Sequence, residues 1–493
     1  MIKSIIHADE IALWWEKEWG LSEKADYRLL IDGQEYVCGE NTHCIIKNMV
    51  AETEYSVRLE RVNAKSERSC LEKLVVKTPK ARKRIDITKA PYFAVGDGKT
   101  LNTQAIQKAI DDCKENESIY IPKGVFLTGA LTLHSDMELY VDEGATLQGT
   151  ANFFDYLPKR KTRYEGKECD CYQSLLNVGN IDRNGDYNVR NVVIRGKGAI
   201  LGGGKELAVN IIETESGQPF SLKEFSSGKN LLVLNAWRSR GRLLQTCNAQ
   251  NIVLAGVKIG MGASWNLHFI YSKNITTYGC NIVSQGVNNG DGWDPDSSMN
   301  CAIFATEFNT YDDCIAIKSG KNPEGNIVNK PSENIFVFDC TMNGGHGMAI
   351  GSEMSGGVRN VQIWNCDLTK THNGVEVKAT RKRGGYVKDI RVGNCKLSRL
   401  EVHSVPYNDD GDGSPTPPVF DNFYFEDLEV EGQFFLPSQT VICPAIEIIG
   451  FGEDAPVTNV VLKNVIAKRQ DDTTPAFDLR FVENLKTEKV IVH

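Results

Sequence analysis

The chain is 493 residues long, 41% hydrophobic and 24% charged, with 56 Lys and Arg against 64 Asp and Glu and a formal charge of −8. That mix is too apolar for a disordered chain, and its acidic balance argues against a nucleic-acid or anionic-membrane binder. No stretch approaches the roughly 18 unbroken apolar residues of a membrane span, and residues 1–10 lack the apolar core of a secretory signal. The expectation is a cytoplasmic protein, secreted or periplasmic only if a signal has been removed.

Residues 1–84 read as short alternating strands at 11–15, 27–31, 44–46, 55–62 and 74–78, with Asp32-Gly33 as a hairpin turn signal. Five strands in so short a stretch predict a small β-sandwich. The run from Asn48 to Tyr55 resembles the strand-connecting corner of fibronectin type III domains, in which a Tyr hydroxyl bonds back to upstream backbone. Pro79 and the cationic run Lys80-Ala-Arg-Lys-Arg84 read as a solvated linker. The boundary falls there, between a domain of residues 1–84 and one of residues 85–493.

Ala105, Ile106, Ala109, Ile110 and Cys113 recur at helical spacing and predict a helix over residues 103–113, with Asn102 or Thr103 as N-cap. Everything after it reads as short strands punctuated by Gly and Asn. A phrase of the form polar, Asn or Asp, apolar, x, apolar, closing in Cys or Gly, returns at 190–196, 250–256, 273–280, 333–340, 359–366 and 388–395. Cys314, Cys340 and Cys366 are 26 residues apart, and Cys395 follows 29 later. Self-similarity of this period with little helix means a solenoid of strands. The predicted fold is all-β: a right-handed parallel β-helix, capped by the helix, with cysteines stacked in an interior ladder. The 14 cysteines are expected to be free and mostly buried.

Titratable patches lie on successive repeats: Asn289-Gly-Asp-Gly-Trp-Asp-Pro-Asp296, Tyr311-Asp-Asp-Cys-Ile-Ala-Ile-Lys-Ser-Gly320, Gly344-Gly-His-Gly-Met-Ala-Ile-Gly-Ser352 and Asn373-Gly-Val-Glu-Val-Lys378. Residues one turn apart in such a fold stack about 4.8 Å apart, so Asp291, Asp312, Asp313, His346 and Lys378 converge on one side face. Crowded carboxylates raise at least one pKa and keep one acid protonated near neutral pH. One protonated and one ionised carboxyl is what acid–base cleavage of a glycosidic bond requires.

In this order the motifs resemble those of the glycoside hydrolase family 28 polygalacturonases, whose segments run Asn-Thr-Asp, Gly-Asp-Asp, Gly-His-Gly and Arg-Ile-Lys. Residues 339–352 match the family's segment around its active-site His, and the resemblance covers residues 86–468. It implies a pectin-lyase-like solenoid and an inverting hydrolase of α-1,4-galacturonosyl linkages. Asp312 would be the general acid, Asp291 and Asp313 would hold and deprotonate the attacking water, and His346 would tune the acid. Asn289 would orient the first carboxylate, and Lys378 would neutralise a galacturonate carboxylate. Gly290 replaces the family's Thr, and Glu376 stands where an Arg is usual. Arg381 and Arg383 are the expected source of replacement charge, with Trp265 and His268 lining a sugar subsite and Arg240 and Arg242 as further carboxylate contacts. No cofactor and no metal are expected, and the partner is a pectic oligosaccharide or polysaccharide. Exo action is expected because the missing export signal points to imported oligosaccharides. A same-family hydrolase of rhamnogalacturonan or another substituted uronic-acid polymer, a pectate lyase and a non-catalytic polysaccharide-binding β-helix are the alternatives.

Overall fold

A computed structural model describes residues 1–21, 24–227, 234–406, 411–436 and 439–493, with the side chain of Leu234 left out. Contacts divide the chain into two compact units, residues 1–84 with 116–118 and residues 85–115 with 119–493.

The first unit contains a three-stranded antiparallel sheet of Lys3–Ile6, Glu10–Trp14 and His43–Lys47. Its second sheet is ordered Gln34–Gly39, Asp26–Ile31, Glu54–Val62, Arg68–Lys77. Alternation does the sorting: Tyr27, Leu29 and Ile31 turn inward to meet Ile11, Leu13, Val57 and Leu59. Asp32 and Gly33 both hold positive φ, 48° and 85°, as a two-residue hairpin turn of the primed type demands. The Tyr55 hydroxyl accepts a hydrogen bond from the Val50 N–H at 2.9 Å. Two strands beyond the expected five appear, Lys3–Ile6 and Gln34–Gly39, the latter an edge strand without a buried face. Lys83–Asp86 is also a strand, where a linker is expected from the charge run.

The second unit is a parallel β-helix. Helix α1 (Thr103–Asp112) buries Ile106, Ala109 and Ile110 at its start. Asn102 sits at the N-cap position, but its side chain bonds Val95 backbone instead of capping. From there an eleven-stranded sheet runs from Leu131–Leu133 to Phe477–Arg480, beside a 22-stranded sheet built from the remaining strands of the repeats. Phe269, Trp293, Ile315, Met348, Val375 and Leu400 belong to one continuous core.

The repeated Asn has a physical cause. Asn191, Asn251, Asn274, Asn300, Asn334 and Asn360 all hold φ between 52° and 60°, a left-handed conformation that Asn tolerates better than most residues. Each amide donates to the side-chain oxygen of the turn before, at 2.8–3.0 Å, forming an unbroken ladder from 360 back to 191. The cysteine ladder is real but differently composed. Strand register aligns Cys340 with Cys366 and Cys395, with Thr306 one turn earlier. Cys314 stands on the other sheet, in Asp313–Ile317, so its 26-residue spacing from Cys340 is coincidental. All 14 cysteines are free.

An insertion departs from the strand-only expectation. It comprises an antiparallel hairpin, Arg160–Tyr164 with Lys167–Cys171, and helices α2 (Gly204–Ser216), α3 (Leu222–Ser227) and α4 (Leu234–Trp237). Leu207, Ala208, Ile211 and Ile212 are the buried stripe of α2, at a helical spacing present in the sequence. Among the described residues no helix is long and apolar enough to cross a membrane.

Candidate active site

The eleven-stranded sheet turns one face into the core and the other outward. Register places His268 beside Asp294, Asp296 beside Lys318, Ala349 beside Glu376, and Glu376 beside Glu401 and then Glu447. Lys378 pairs with His403. Asp291 precedes the strand Trp293–Asp296, Asp312 and Asp313 open the strand Asp313–Ile317, and His346 precedes Gly347–Ile350. The sequence patches therefore reach one face because each ends a turn at the same edge of the same sheet.

His346 Nδ1 lies 3.0 Å from Asp312 Oδ1 and 3.4 Å from Asp313 Oδ1. The Asp313 N–H donates to Asp312 Oδ1 at 2.9 Å, and the His346 N–H donates to the Asp312 carbonyl at 3.0 Å. Asp291 is buried, with Lys318 Nζ 3.1 Å from its Oδ2 and, among the described residues, no hydrogen-bond partner for its Oδ1. Lys318 also reaches Glu353 at 3.4 Å and lies 4.3 Å from the Trp265 ring centroid. Asp294 is fully buried, and neither of its oxygens has a hydrogen-bond partner among the described residues.

These contacts divide the protons. Burial pushes Asp291 well above the usual carboxylate range, Lys318 pulls it back, and Asp312 and Asp313 push it up again. Burial and the nearby Asp291 raise Asp294 in the same way. Burial would raise Asp312 too, but the hydrogen bond and charge of His346 outweigh it and hold Asp312 below the usual range. His346, which burial alone would lower, is pushed up to about 11 by Asp312 and Asp313. Burial and mutual repulsion thus favour the proton on Asp291 and Asp294, and Lys318 works against both. Asp312 rests as the anion of an ion pair with His346.

A second cluster follows on the next turns. Lys378 Nζ donates to Glu376 Oε2 at 2.7 Å, Asn373 Nδ2 donates to the same oxygen at 2.9 Å, and His403 Nε2 lies 3.0 Å from Oε1. Burial would raise Glu376, but Lys378 and His403 together hold it at about 2. His403 in turn is pushed up to about 9 by Glu376, Glu447 and Glu401 against its own burial. Asp312, Asp313 and His346, and separately Glu401, His403 and Glu447, bring donor atoms of the kind a divalent cation takes within 4.8 Å of one another. In both groups an imidazole already bridges carboxylates.

The sequence profile of glycosyl hydrolases family 28 matches residues 113–410. The chain is 32% identical to an exo-poly-alpha-D-galacturonosidase of Dickeya chrysanthemi, an alignment covering 82% of this chain and 71% of that one. The chain belongs to glycosyl hydrolases family 28. An exopolygalacturonase of Thermotoga maritima shares 27% identity and a TM-score of 0.68, over 83% of this chain and 92% of that one. The family 28 exopolygalacturonase of Yersinia enterocolitica shares the fold over 99% of this chain and 98% of that one, with a TM-score of 0.81 at 22% identity.

Within this family 28 chain, several residues expected to touch sugar are placed elsewhere. Trp265 is buried, stacked on Tyr164 at 4.9 Å between ring centroids, and His268 is fully buried with Nε2 3.2 Å from Asp296 Oδ2. Both stand behind the carboxylates rather than on an open subsite. Arg383 is buried and donates to Asn322 Oδ1 at 2.6 Å and to the Ser352 carbonyl at 2.8 Å. Arg381 pairs with Asp454. Neither arginine replaces the family's missing cation; His403 stands against Glu376 instead. Arg240 and Arg242 are buried and fix the insertion, Arg240 donating to the Tyr164 hydroxyl at 2.6 Å and to Asn289 Oδ1 at 2.7 Å. Asn289 also accepts from Trp237 Nε1 at 2.6 Å, so it ties the Asp291 loop to α4. At Gly290 an added Cβ would lie 2.5 Å from the Val287 carbonyl, which accounts for Gly in place of Thr. Asp294, Asp296 and Lys318 lie within the patches but carry no assigned role in the sequence reading, and Glu353 and His403 lie outside them. Asp294, Asp296 and Lys318 carry one signal, polar residues at alternating positions of otherwise buried strands.

Proposed function

We propose that this family 28 enzyme hydrolyses α-1,4-galacturonosyl linkages of pectic oligosaccharides from a chain end, with inversion. The observation that carries it is the His346-paired Asp312–Asp313 couple beside a buried Asp291 that Lys318 contacts. In this reading Asp312 delivers a proton to the leaving oxygen. It draws on the imidazolium of His346, one hydrogen bond away. Asp291 and Asp313 position and deprotonate the attacking water, a single displacement that turns an α linkage into a β product. Lys378 supplies positive charge to a uronate carboxylate.

Exo action is supported by the exo-acting relatives and by the covered face on the N-terminal side of the carboxylates. There Thr162 Oγ1 donates to Gln245 Oε1 at 2.6 Å, and Arg163 Nη1 donates to Asp296 Oδ1 at 2.9 Å, so the hairpin lies across the sheet. A long polysaccharide has no continuous track in that direction. The first unit is read as fibronectin type III-like, on its two sheets and the Tyr55–Val50 bond.

Time-resolved product analysis on oligogalacturonides tests the proposal. Monomer or dimer from the first time point, initially as the β anomer by proton NMR, is the expected result. A ladder of mixed oligomers would refute exo action, and an unsaturated product absorbing in the near ultraviolet would mean a lyase. Glu376 favours one second reading, a substituted uronic-acid polymer as substrate. Higher initial rates on rhamnogalacturonan fragments than on oligogalacturonides would establish it.

A further inference from the structure

We propose that Lys318 is a positioning residue of the reaction: its ammonium group, in contact with Asp291, favours the ionised, base form of that carboxyl among three others. This rests on the hydrolase reading above and gives a role to a residue that the second patch contains without one.

Asp291 has a problem of its own making. It is buried and faces Asp294, Asp312 and Asp313. A carboxyl in that position keeps its proton, and a protonated carboxyl cannot activate water. The charge of His346 is engaged by Asp312 and Asp313 at 3.0 and 3.4 Å. Among the described residues, the cation in contact with Asp291 is Lys318, at 3.1 Å.

Lys318 is built into this position. Its backbone N–H donates to the Pro295 carbonyl at 2.8 Å, and its own carbonyl accepts from the Ser297 N–H at 2.9 Å and the Ser332 hydroxyl at 2.7 Å. Its side chain is 6% exposed, with the Trp265 ring 4.3 Å from Nζ. Burying an ammonium group is costly unless it is paired. Here Asp291, Glu353, Asp294 and Asp313 all surround it and raise its own pKa, with Asp296 beside it in the strand register. Arg163 and His268, the other groups on this part of the face, are engaged by Asp296. Glu353, 3.4 Å from Nζ, competes with Asp291 for the one ammonium group. Lys318 and Glu353 therefore act on Asp291 with opposite sign.

The sign can be read from the acid limb of kcat/KM against pH, which reports the essential base of the free enzyme. Removing the positive charge raises the pKa of Asp291, so Lys318→Gln moves the acid limb to higher pH, by about one unit or more for an opposite charge at this distance. Glu353→Gln removes a competing negative charge and moves the limb to lower pH. Both are measured on trigalacturonate beside the wild type, with circular dichroism to check folding. Limbs that do not move, or that move in the same direction, overturn the proposal. If Lys318→Gln does not fold, Glu353→Gln decides alone: a downward shift supports the proposal and an unmoved limb ends it. A merely structural lysine would change yield or melting temperature and leave both limbs in place. Wild-type protein releasing no reducing sugar from any pectic substrate would instead sink the hydrolase reading, and this inference with it.

Discussion

His403 joins two carboxylates from different turns, with Nε2 3.0 Å from Glu376 Oε1 and Nδ1 2.6 Å from Glu447 Oε1. Its pKa is raised from 6.5 to about 9, so the protonated imidazole stabilises the folded state fully below 6.5. That contribution is lost as pH rises through about 9. Glu401, pushed up to about 7 by burial, adds a loss of its own as pH rises from 4.5 through 7. Stability measured by denaturant titration should therefore fall between pH 6.5 and 9 by up to about 3 kcal/mol, taking 1.36 kcal/mol per pKa unit as an upper bound. His403→Gln should be less stable at pH 6 and lose most of the slope above pH 6.5. An unchanged slope in that variant would refute the assignment.

Asp312→Asn should lower kcat by roughly 10²–10⁴, the contribution of a positioned proton donor, while the circular dichroism spectrum stays that of the wild type. The same change removes the first of the two carboxylates that hold the His346 proton. The His346 ring should then titrate below its present value of about 11. A folded variant with near-wild-type kcat would exclude Asp312 as the acid.

How much of this is legible in the sequence depends on whether a residue acts locally or through a neighbour turns away. The repeat shows the solenoid because each turn needs the same left-handed Asn and the same apolar positions. Asp291, Asp312, Asp313 and His346 can be found because each closes its own turn in the same phrase. The positions of Trp265, His268 and Arg383 cannot, since an aromatic or cationic side chain beside an acidic patch looks alike whether it faces solvent or lies underneath. His403 is hidden for another reason: it meets Glu376 only through the register of strands Val375–Ala379 and Leu400–Ser404. The coincidence of Cys314 shows the converse error, a sequence interval matching the turn length without sharing a ladder.

The Asn ladder should resist substitution in a graded way. Asn334 holds φ of 59°, donates to Asn300 Oδ1 at 2.9 Å and accepts from Asn360 Nδ2 at 2.8 Å. Asn334→Gly keeps the backbone relaxed and loses two partly exposed hydrogen bonds, a cost of about 1 kcal/mol. Asn334→Ala adds the left-handed penalty of roughly 1–2 kcal/mol. Chemical denaturation should rank wild type above Gly and Gly above Ala. Reversal of the last two would mean that the left-handed backbone conformation does not set the choice of Asn.

Arg163 ties stability to the cleavage pattern. Its side chain and that of Asp296 are both fully buried, and Nη1 also donates to the Ser297 hydroxyl at 2.8 Å. Burial would raise Asp296, but Arg163 and His268 hold it below the usual carboxylate range. Asp296 therefore contributes stability above its ordinary pKa of 3.8 that is lost as pH falls below it. Arg163→Met strands that carboxylate and should cost about 3–5 kcal/mol, whereas Arg163→Met with Asp296→Leu should recover most of the loss. Both variants also release the hairpin Arg160–Tyr164 from the strand Trp293–Asp296, on the side where the sheet face is covered. Product profiles on polygalacturonate should then include mixed oligomers that the wild type does not release. If the doubly substituted protein folds and still yields only end products, the hairpin is not what limits the enzyme to chain ends.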